Sequence, residues 1–214
     1  MYRIVLSTVA LLSLVFSPAL YGQQTAEKEA TEKKVAEETR EPDVVFVPTP
    51  QEVVEKMLEL AKVTKKDLVY DLGCGDGRIV VTAAKKYGCK AVGYDINPVR
   101  VKESLENVKK NKVEKLVTIE RKDIFKLDLS KANVITLYLL PSLNVKLIPQ
   151  LEKLKPGSRI VSHDFAMAGV TPDKKVEVKS KEDERGHTVY FWTTPLKKEK
   201  KEEESREKAE AVTP

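Results

Sequence analysis

Three glycines at alternate positions follow an acidic residue at the end of an apolar run. The run Val69–Leu72 contains Asp71, and Gly73, Gly75 and Gly77 come next, before a second apolar stretch. A strand, a tight turn and a helix start are predicted, because glycine lets the backbone turn sharply and a helix N-terminus favours anionic groups. This arrangement is typical of sites that hold an adenosine-bearing cofactor.

The glycine spacing indicates which cofactor the turn would hold. A dinucleotide site needs G-x-G-x-x-G, whereas here the third glycine, Gly77, comes one residue early and Arg78 takes its place. The carboxylate of Asp71 lies inside the strand end, where it suits an ammonium group better than a pyrophosphate. The spacing therefore favours S-adenosylmethionine.

Two further acids follow the next two apolar runs. Asp95 ends the first of these runs and is expected to accept the ribose hydroxyls. Asp123 follows the second run and is expected to accept the adenine amino group, with Ile124 against the ring. Each acid alone is also a common turn residue at a strand end. Their succession after the glycine turn favours cofactor binding.

The composition indicates one domain with charged extensions. The 214 residues are 41% hydrophobic and 33% charged, with much of the charge at the two ends. We predict a charged linker over 23–44, a folded domain over 45–196 and a charged, disordered tail over 197–214. The net charge of +5 is mixed in sign, and no basic stripe contains interleaved aromatics. Nucleic acid is therefore not an expected partner, and we expect a monomer.

The N-terminus has the layout of a secretory signal or an anchor, over residues 1–22. Met1–Arg3 is short and basic, residues 4–16 are almost all apolar, and small residues follow over 17–22. We expect a protein that is exported to the periplasm or anchored through a membrane tether at residues 4–21. Because S-adenosylmethionine is a cytosolic metabolite, either the anchored domain faces the cytosol or the destination compartment contains the cofactor.

Apolar runs that alternate with amphipathic segments predict an α/β fold. A helix is expected from Pro50 to Ala61, opened by a capping box of Thr49 and Glu52. The other predicted helices span 77–87, 98–111 and 143–154, and the predicted strands span 67–71, 90–95, 116–120, 133–139 and 159–163. A terminal β-hairpin is expected before residue 193. The result is a Rossmann-like, mainly parallel sheet of about seven strands with helices on both faces.

The carboxyl ends of parallel strands share one edge of a sheet, where ligands bind. That rule places Asp71, Asp95, Asp123, Tyr138 and His163 around one crevice. A metal site is not expected.

The cysteines and histidines lack the spacing of metal ligands. They are Cys74, Cys89, His163 and His187. A disulfide between the two cysteines is not needed either, since one lies in the glycine turn and the other before the second strand.

Five segments are more specific than the glycine turn. They are Phe46–Pro50, Asp71–Val80, Tyr138–Pro141, Arg159–His163 and His187–Tyr190. They resemble class I S-adenosylmethionine-dependent methyltransferases, in particular the archaeal broad-specificity protein-lysine methyltransferases and their mitochondrial relatives that modify the ATP synthase c-ring protein. The resemblance covers about residues 45–193, and it implies a methyltransferase domain with a protein substrate that offers an accessible lysine.

The resemblance also implies roles for individual residues. In it, the strand-end acids and glycines hold the cofactor, and the Pro-Thr pair at the domain start closes over the site. The predicted cofactor contacts are Pro48, Thr49, Asp71, Gly73, Gly75, Asp95, Asp123 and Ile124. Tyr138 and Asp164 are the predicted catalytic residues, which would orient the acceptor amine. Phe46, Phe125 and Phe165 are candidate walls of the acceptor channel.

Three other functions are open at this point. A nucleic-acid amino-methyltransferase often carries an Asn/Asp-Pro-Pro-aromatic segment that grips a flipped base, whereas Tyr138–Ser142 lacks both the polar residue and the second proline. A small-molecule methyltransferase is the second alternative, although no large insertion is present to form a lid. A non-catalytic S-adenosylmethionine-binding module is the third, and the intact acids argue against it.

Overall fold

The computed structural model describes residues 41–199. The predicted signal or anchor over 1–22 lies outside the described residues, as do residues 23–40 of the linker and 200–214 of the tail. Within 41–199, no helix is long and apolar enough to cross a membrane.

Strands and helices alternate along the described chain. The strands are β1 (Leu68–Leu72), β2 (Lys90–Asp95), β3 (Val117–Arg121), β4 (Val134–Leu137), β5 (Arg159–His163), β6 (Lys174–Lys179) and β7 (Gly186–Thr193). The helices are α1 (Gln51–Leu60), α2 (Arg78–Tyr87), α3 (Pro98–Lys110) and α4 (Pro141–Leu151), with a 3₁₀ turn at Ile124–Lys126. The pattern confirms the predicted α/β fold.

The seven strands form one sheet in the order β3-β2-β1-β4-β5-β7-β6. The first five strands in that order pair in parallel, and β7 pairs antiparallel with both β5 and β6. The predicted mainly parallel sheet and terminal hairpin are confirmed. The chain order reverses between β1 and β4, and such a reversal opens a crevice at the carboxyl ends of the strands.

Each face of the sheet is covered by helices, because neighbouring strand residues point to opposite sides. Val69 packs with the buried residues of α1 and α2 on one face. Tyr70, next along the strand, packs on the other face with Leu147 and Leu151 of α4. Trp192 is the largest fully buried side chain and lies on this second face. Helices therefore cover both faces, as predicted.

The start of α1 differs from the prediction. Pro50 is the N-cap residue and no side chain caps the helix, so the expected capping box of Thr49 and Glu52 is wrong. The Thr49 hydroxyl lies 3.1 Å from His163 Nδ1 instead. A tertiary partner has thus replaced the local one, and Thr49 joins the site described below.

Two other boundaries differ near the site. The predicted strand 133–139 ends at Leu137, and α4 begins at Pro141 rather than residue 143. Proline suits the first turn of a helix because it lacks an N–H to satisfy there. Tyr138 consequently lies on the connection between β4 and α4, at the crevice.

Residues 197–199 of the predicted tail bind to the domain. The N–H of Thr171 donates to the carbonyl of Lys197, and the N–H of Glu199 donates to the carbonyl of Gly169. Lys198 also forms a β-bridge with Val170. The order of the domain therefore continues past the predicted end at residue 196.

Candidate active site

A pocket of about 900 Å³ opens at the carboxyl ends of β1, β2 and β4. Most of the predicted site residues line it: Thr49, Asp71, Gly73, Asp95, Asp123, Ile124 and Tyr138. Three predicted residues, Pro48, Gly75 and Asp164, are not among the lining residues. The strand ends thus bring together the acids that the sequence separates by up to 52 positions, from Asp71 to Asp123.

The glycine turn forms the floor of the pocket. Gly73 and Gly75 have positive φ angles of 82° and 55°, which side-chain-bearing residues rarely adopt. A Cβ at Gly73 would lie 3.0 Å from Leu139, and a Cβ at Gly75 would lie 2.1 Å from the Phe46 ring. The N–H groups of Gly73 and Cys74 donate to the carbonyl of Tyr94. Both the turn and its covering ring therefore depend on glycine.

Asp71 is the most unusual acid of the pocket. It is only 2% exposed, and Oδ1 accepts a 2.7 Å hydrogen bond from the Thr136 hydroxyl. Oδ2 is buried and has no hydrogen-bond partner. Burial, together with the nearby charges of Asp95 and Asp76, raises the pKa of Asp71 to about 7. A buried carboxylate oxygen that lacks a partner fits an ammonium group of a ligand.

Asp95 is fixed by backbone donors. The N–H of Gly75 donates to its Oδ2, and the N–H of Asn97 donates to its Oδ1, each at 2.9 Å. Burial nevertheless raises the pKa of this carboxyl group. Because each carboxylate oxygen accepts more than one hydrogen bond, both oxygens keep capacity for a pair of hydroxyl groups.

Asp123 caps the 3₁₀ turn after β3, where its Oδ1 accepts from the N–H of Phe125 at 3.0 Å. It is buried and lines the pocket beside Ile124. The arrangement places one acceptor and one apolar side chain together, which suits an aromatic base with an amino group.

Residues 42–47, called the cover segment below, pass over the pocket, and all six line it. Phe46 lies against Gly75, and the Arg100 guanidinium stacks 4.7 Å from the centre of its ring. Residues 42–44 fall within the predicted linker, so their contribution to the pocket is a correction to that boundary. Their charged surroundings in the sequence give no periodic signal.

Arg78 links the cover segment to the glycine turn. Its Nη1 donates to the carbonyl of Thr49 at 2.8 Å, and its Nη2 pairs with Asp76 at 2.7 Å. The Asp76 partner raises the pKa of the guanidinium, despite an opposing effect of burial. The residue that replaces the expected third glycine thus holds the two sides of the pocket together.

An aromatic wall lies on the β4–α4 side. The Tyr138 ring stacks on the His163 ring with 3.9 Å between centres, and on Phe165 with 6.1 Å. Burial, together with the charge of Asp164, raises the pKa of Tyr138, so its hydroxyl stays neutral at physiological pH. Phe125 instead packs under the Lys146 ammonium group.

Asp164 does not face the pocket as its predicted role requires. Its Oδ1 accepts from the N–H of Thr188 at 2.8 Å, and its Oδ2 lies 3.2 Å from both His163 Nε2 and His187 Nδ1. Its φ of 56° is positive, which is uncommon for a residue other than glycine. The carboxylate is thus committed to two histidines behind the aromatic wall.

The two histidines are brought together by the terminal hairpin. His163 Nε2 lies 2.9 Å from His187 Nδ1, although the residues are 24 positions apart in the chain. His163 pairs with Val189 across the antiparallel β5–β7 ladder, so His187, two residues earlier, lies on the same face. This register is the signal that their spacing in the sequence does not show. Burial lowers the pKa of His163 to about 4.

The fold and the pocket together define an S-adenosylmethionine-dependent methyltransferase, and the comparisons with known proteins agree. The family model described as "ANTKMT methyltransferase domain" matches residues 71–174. A solved RNA methyltransferase of Salinibacter ruber, in complex with S-adenosyl-L-homocysteine, is 49% identical, with a TM-score of 0.65. It covers 70% of this chain, and the match spans 94% of that chain.

The chain belongs to the family of the protein-lysine N-methyltransferase of Saccharolobus islandicus. It is 49% identical to that enzyme over 153 residues, which are 71% of this chain and 94% of the relative. The human lysine N-methyltransferase of the ATP synthase c-ring protein is 32% identical over 129 residues, and the match spans only 54% of its length. The predicted family and cofactor, S-adenosylmethionine, are confirmed.

Proposed function

We propose that this methyltransferase transfers methyl groups to lysine side chains of proteins. The observation that carries the proposal is the charge of the pocket, which suits a cationic acceptor. Five carboxylates line it against three cationic side chains, and one of these cations, Arg78, is bound by Asp76. The carboxylates are Asp43, Asp71, Asp76, Asp95 and Asp123.

An RNA acceptor is the rival reading, since the Salinibacter relative is named an RNA methyltransferase. A nucleic-acid site depends on cationic contacts to phosphates, and an acidic pocket lining opposes them. The segment after β4 also lacks the amide or carboxylate that would grip a flipped base. It presents the ring of Tyr138, followed by Leu139 and the exposed Leu140. These apolar groups suit the methylene chain of a lysine.

The chemistry asks the protein for alignment and for the exclusion of water. When bound, S-adenosylmethionine supplies an activated methyl group on its sulfonium. A lysine must lose a proton from an ordinary pKa of about 10.4 before it can attack. Burial between the aromatic wall and a cationic ligand lowers that pKa, so no dedicated base is required. The neutral Tyr138 hydroxyl is placed to orient the amine.

The cofactor assignments follow from the same geometry. Asp71 Oδ2 would bind the ammonium group of the cofactor, above the backbone of Gly73 and Gly75. Asp95 would bind the ribose hydroxyls, and Asp123 the adenine amino group beside Ile124.

The Pro48–Thr49 pair follows the cover segment directly. The carbonyl of Thr49 is held by Arg78, and Thr49 lines the pocket whereas Pro48 does not. Pro48 therefore acts through the path of the chain, and Thr49 closes the site directly.

A direct test compares three acceptors with the full-length chain and labelled cofactor. They are an unstructured peptide with one lysine, the same peptide with arginine at that position, and a single-stranded RNA. Methylation of the lysine peptide alone is expected. Methylation of the RNA with none of the peptide would overturn the proposal. Asp95→Ala serves as the control that should not bind the cofactor.

We also propose that residues 4–21 direct the chain to a membrane, as a cleaved signal or as an anchor. The support is the short basic start and the apolar stretch that follows it. N-terminal sequencing of the mature protein separates the two forms, and fractionation of cells locates the domain. Recovery of the intact chain in the soluble cytosolic fraction would contradict a membrane role.

A further inference from the structure

Behind the aromatic wall, three side chains each bring one atom to a common point. The atoms are His163 Nε2, His187 Nδ1 and Asp164 Oδ2. The two ring nitrogens are 2.9 Å apart, and the carboxylate oxygen lies 3.2 Å from each of them. Both histidines are buried, whereas Asp164 is 30% exposed at its side chain and leaves a route from solvent.

Hydrogen bonds alone do not satisfy this triangle. A proton on His187 Nδ1 can be shared with His163 Nε2 and with the carboxylate, but those two acceptors then face each other at 3.2 Å. A proton on His163 Nε2 leaves the same problem between His187 Nδ1 and the carboxylate. Protons on both nitrogens set two donors against each other at 2.9 Å. One edge of the triangle is therefore repulsive in every arrangement, whereas a central cation would attract all three atoms.

The outer atoms of the same residues are all engaged. His187 Nε2 lies 3.0 Å from Asp183 Oδ2, and His163 Nδ1 lies 3.1 Å from the Thr49 hydroxyl. Asp164 Oδ1 accepts from the N–H of Thr188. Histidines that bind a metal usually donate their second N–H to a carboxylate or another acceptor, which fixes the tautomer of the ring. Here that second partner is present for each of the three side chains.

We propose that His163, His187 and Asp164 form a binding site for one divalent transition-metal cation. Two imidazoles and one carboxylate suit Zn²⁺, Fe²⁺ or Co²⁺ rather than Mg²⁺ or Ca²⁺. Three ligands on one face of an octahedron, each ~2.1 Å from the metal, are ~3.0 Å from one another. The observed separations of 2.9 to 3.2 Å agree with that face.

The site lies next to the methyl-transfer pocket and outside its lining. The His163 ring supports Tyr138 from behind, and its other nitrogen contacts Thr49, which also lines the pocket. A bound cation would fix the carboxyl end of β5 to the start of β7, and with them this wall of the pocket. Its role is to position the wall, and it takes no part in methyl transfer.

The test is a titration of the full-length chain with Co²⁺, a spectroscopic probe for such sites. The protein is produced without a histidine tag, because the chain itself has only two histidines. One equivalent of Co²⁺ is expected to bind at micromolar concentration and to be displaced by Zn²⁺. The proton NMR spectrum should then show two exchangeable, strongly shifted N–H signals, one from each imidazole.

Four variants locate the bound ion. Asp164→Asn and His187→Gln should weaken Co²⁺ binding by about 100-fold or more, since each removes a ligand. Asp183→Asn, which changes an outer partner, should weaken it by about 10- to 100-fold. The control, Asp128→Asn, alters a carboxylate that bonds only its local turn and should leave binding unchanged.

Three results would overturn the proposal. They are an absence of Co²⁺ binding to the wild-type chain, unchanged binding in both ligand variants, and cobalt–thiolate absorption, which would assign the ion to Cys74 or Cys89. If a variant does not fold, as judged by circular dichroism, the wild-type NMR spectrum decides. Bound Co²⁺ without the two shifted imidazole signals would then exclude this site.

Discussion

Asp71 and Thr136 form a 2.7 Å hydrogen bond between neighbouring strands of the sheet, and it is the only hydrogen bond that the Asp71 side chain receives within the described residues. One carboxylate oxygen is thereby satisfied, and the other is held without a partner at the floor of the pocket. The pocket thus keeps an unfavourable group in readiness for a cationic ligand, and this has consequences for pH dependence and for stability.

Cofactor affinity should depend on pH through Asp71. With a pKa near 7 in the ligand-free protein, Asp71 is protonated below that pH and must lose a proton before it binds an ammonium group. The dissociation constant should therefore rise about tenfold for each pH unit below about 7, and level off just above it. Isothermal titration calorimetry from about pH 5.5 to about pH 7.5 measures this slope. Asp71→Asn should bind weakly with no slope, and a wild-type affinity that is flat over this range would contradict the role of Asp71.

The same residue should lower the stability of the ligand-free protein at alkaline pH. The pKa of Asp71 is raised on folding, so its contribution to stability is greatest below the unfolded-state pKa of about 3.9 and is lost as pH rises to about 7. Asp71→Asn should therefore increase the free energy of unfolding by about 1–3 kcal/mol at pH 8 or so, and by much less near pH 5. Urea denaturation at the two pH values checks this difference. The exposed-site variant Asp128→Asn should show no such gain, and a destabilised Asp71→Asn at alkaline pH would refute the argument.

Removal of the Phe46 ring should speed the release of the cofactor. The ring covers Gly75 and is held by Arg100, so Phe46→Ala opens the cover segment without a change to any of the predicted polar contacts. We expect an affinity loss of about 10- to 100-fold, equal to about 1.4–2.8 kcal/mol, mostly in the dissociation rate measured by stopped-flow fluorescence. Leu105→Ala, at a side chain that is 49% exposed on α3, is the control. Equal dissociation rates in wild type and Phe46→Ala would show that the segment does not close the site.

Two substitutions separate the ring of Tyr138 from its hydroxyl group. Tyr138→Phe keeps the ring on His163 and loses one hydrogen bond to the acceptor amine, so kcat should fall by about fivefold. Tyr138→Ala removes the wall itself, and kcat should fall by a further tenfold or more. Cofactor affinity should change little in Tyr138→Phe, as measured by calorimetry. Equal activity in Tyr138→Ala and wild type would remove Tyr138 from the acceptor site.

The sheet and the cofactor side of the pocket are predictable because their signals are local. Apolar runs mark the strands, and each strand end carries its own acid, as Asp71, Asp95 and Asp123 do. The parallel topology then fixes where those ends meet. The sequence pattern therefore predicts both the fold class and the grouping of these acids around one crevice.

The rest of the site depends on contacts between distant segments. The local pattern predicts that Thr49 caps α1, but a histidine 114 residues away takes its hydroxyl. Asp164 is predicted at the acceptor amine, but the hairpin brings His187 to it. Neither contact has a pattern within one segment, because each depends on the register of β5 with β7 and on the path of the chain before α1.

The most direct test of the central claim is to locate the methyl group. The full-length chain is incubated with labelled cofactor and whole-cell extract, and the protein and RNA fractions are then hydrolysed separately. The account predicts label in methylated lysine, lost in Asp95→Ala and absent from nucleosides. Label in a methylated nucleoside, with none in lysine, would contradict it.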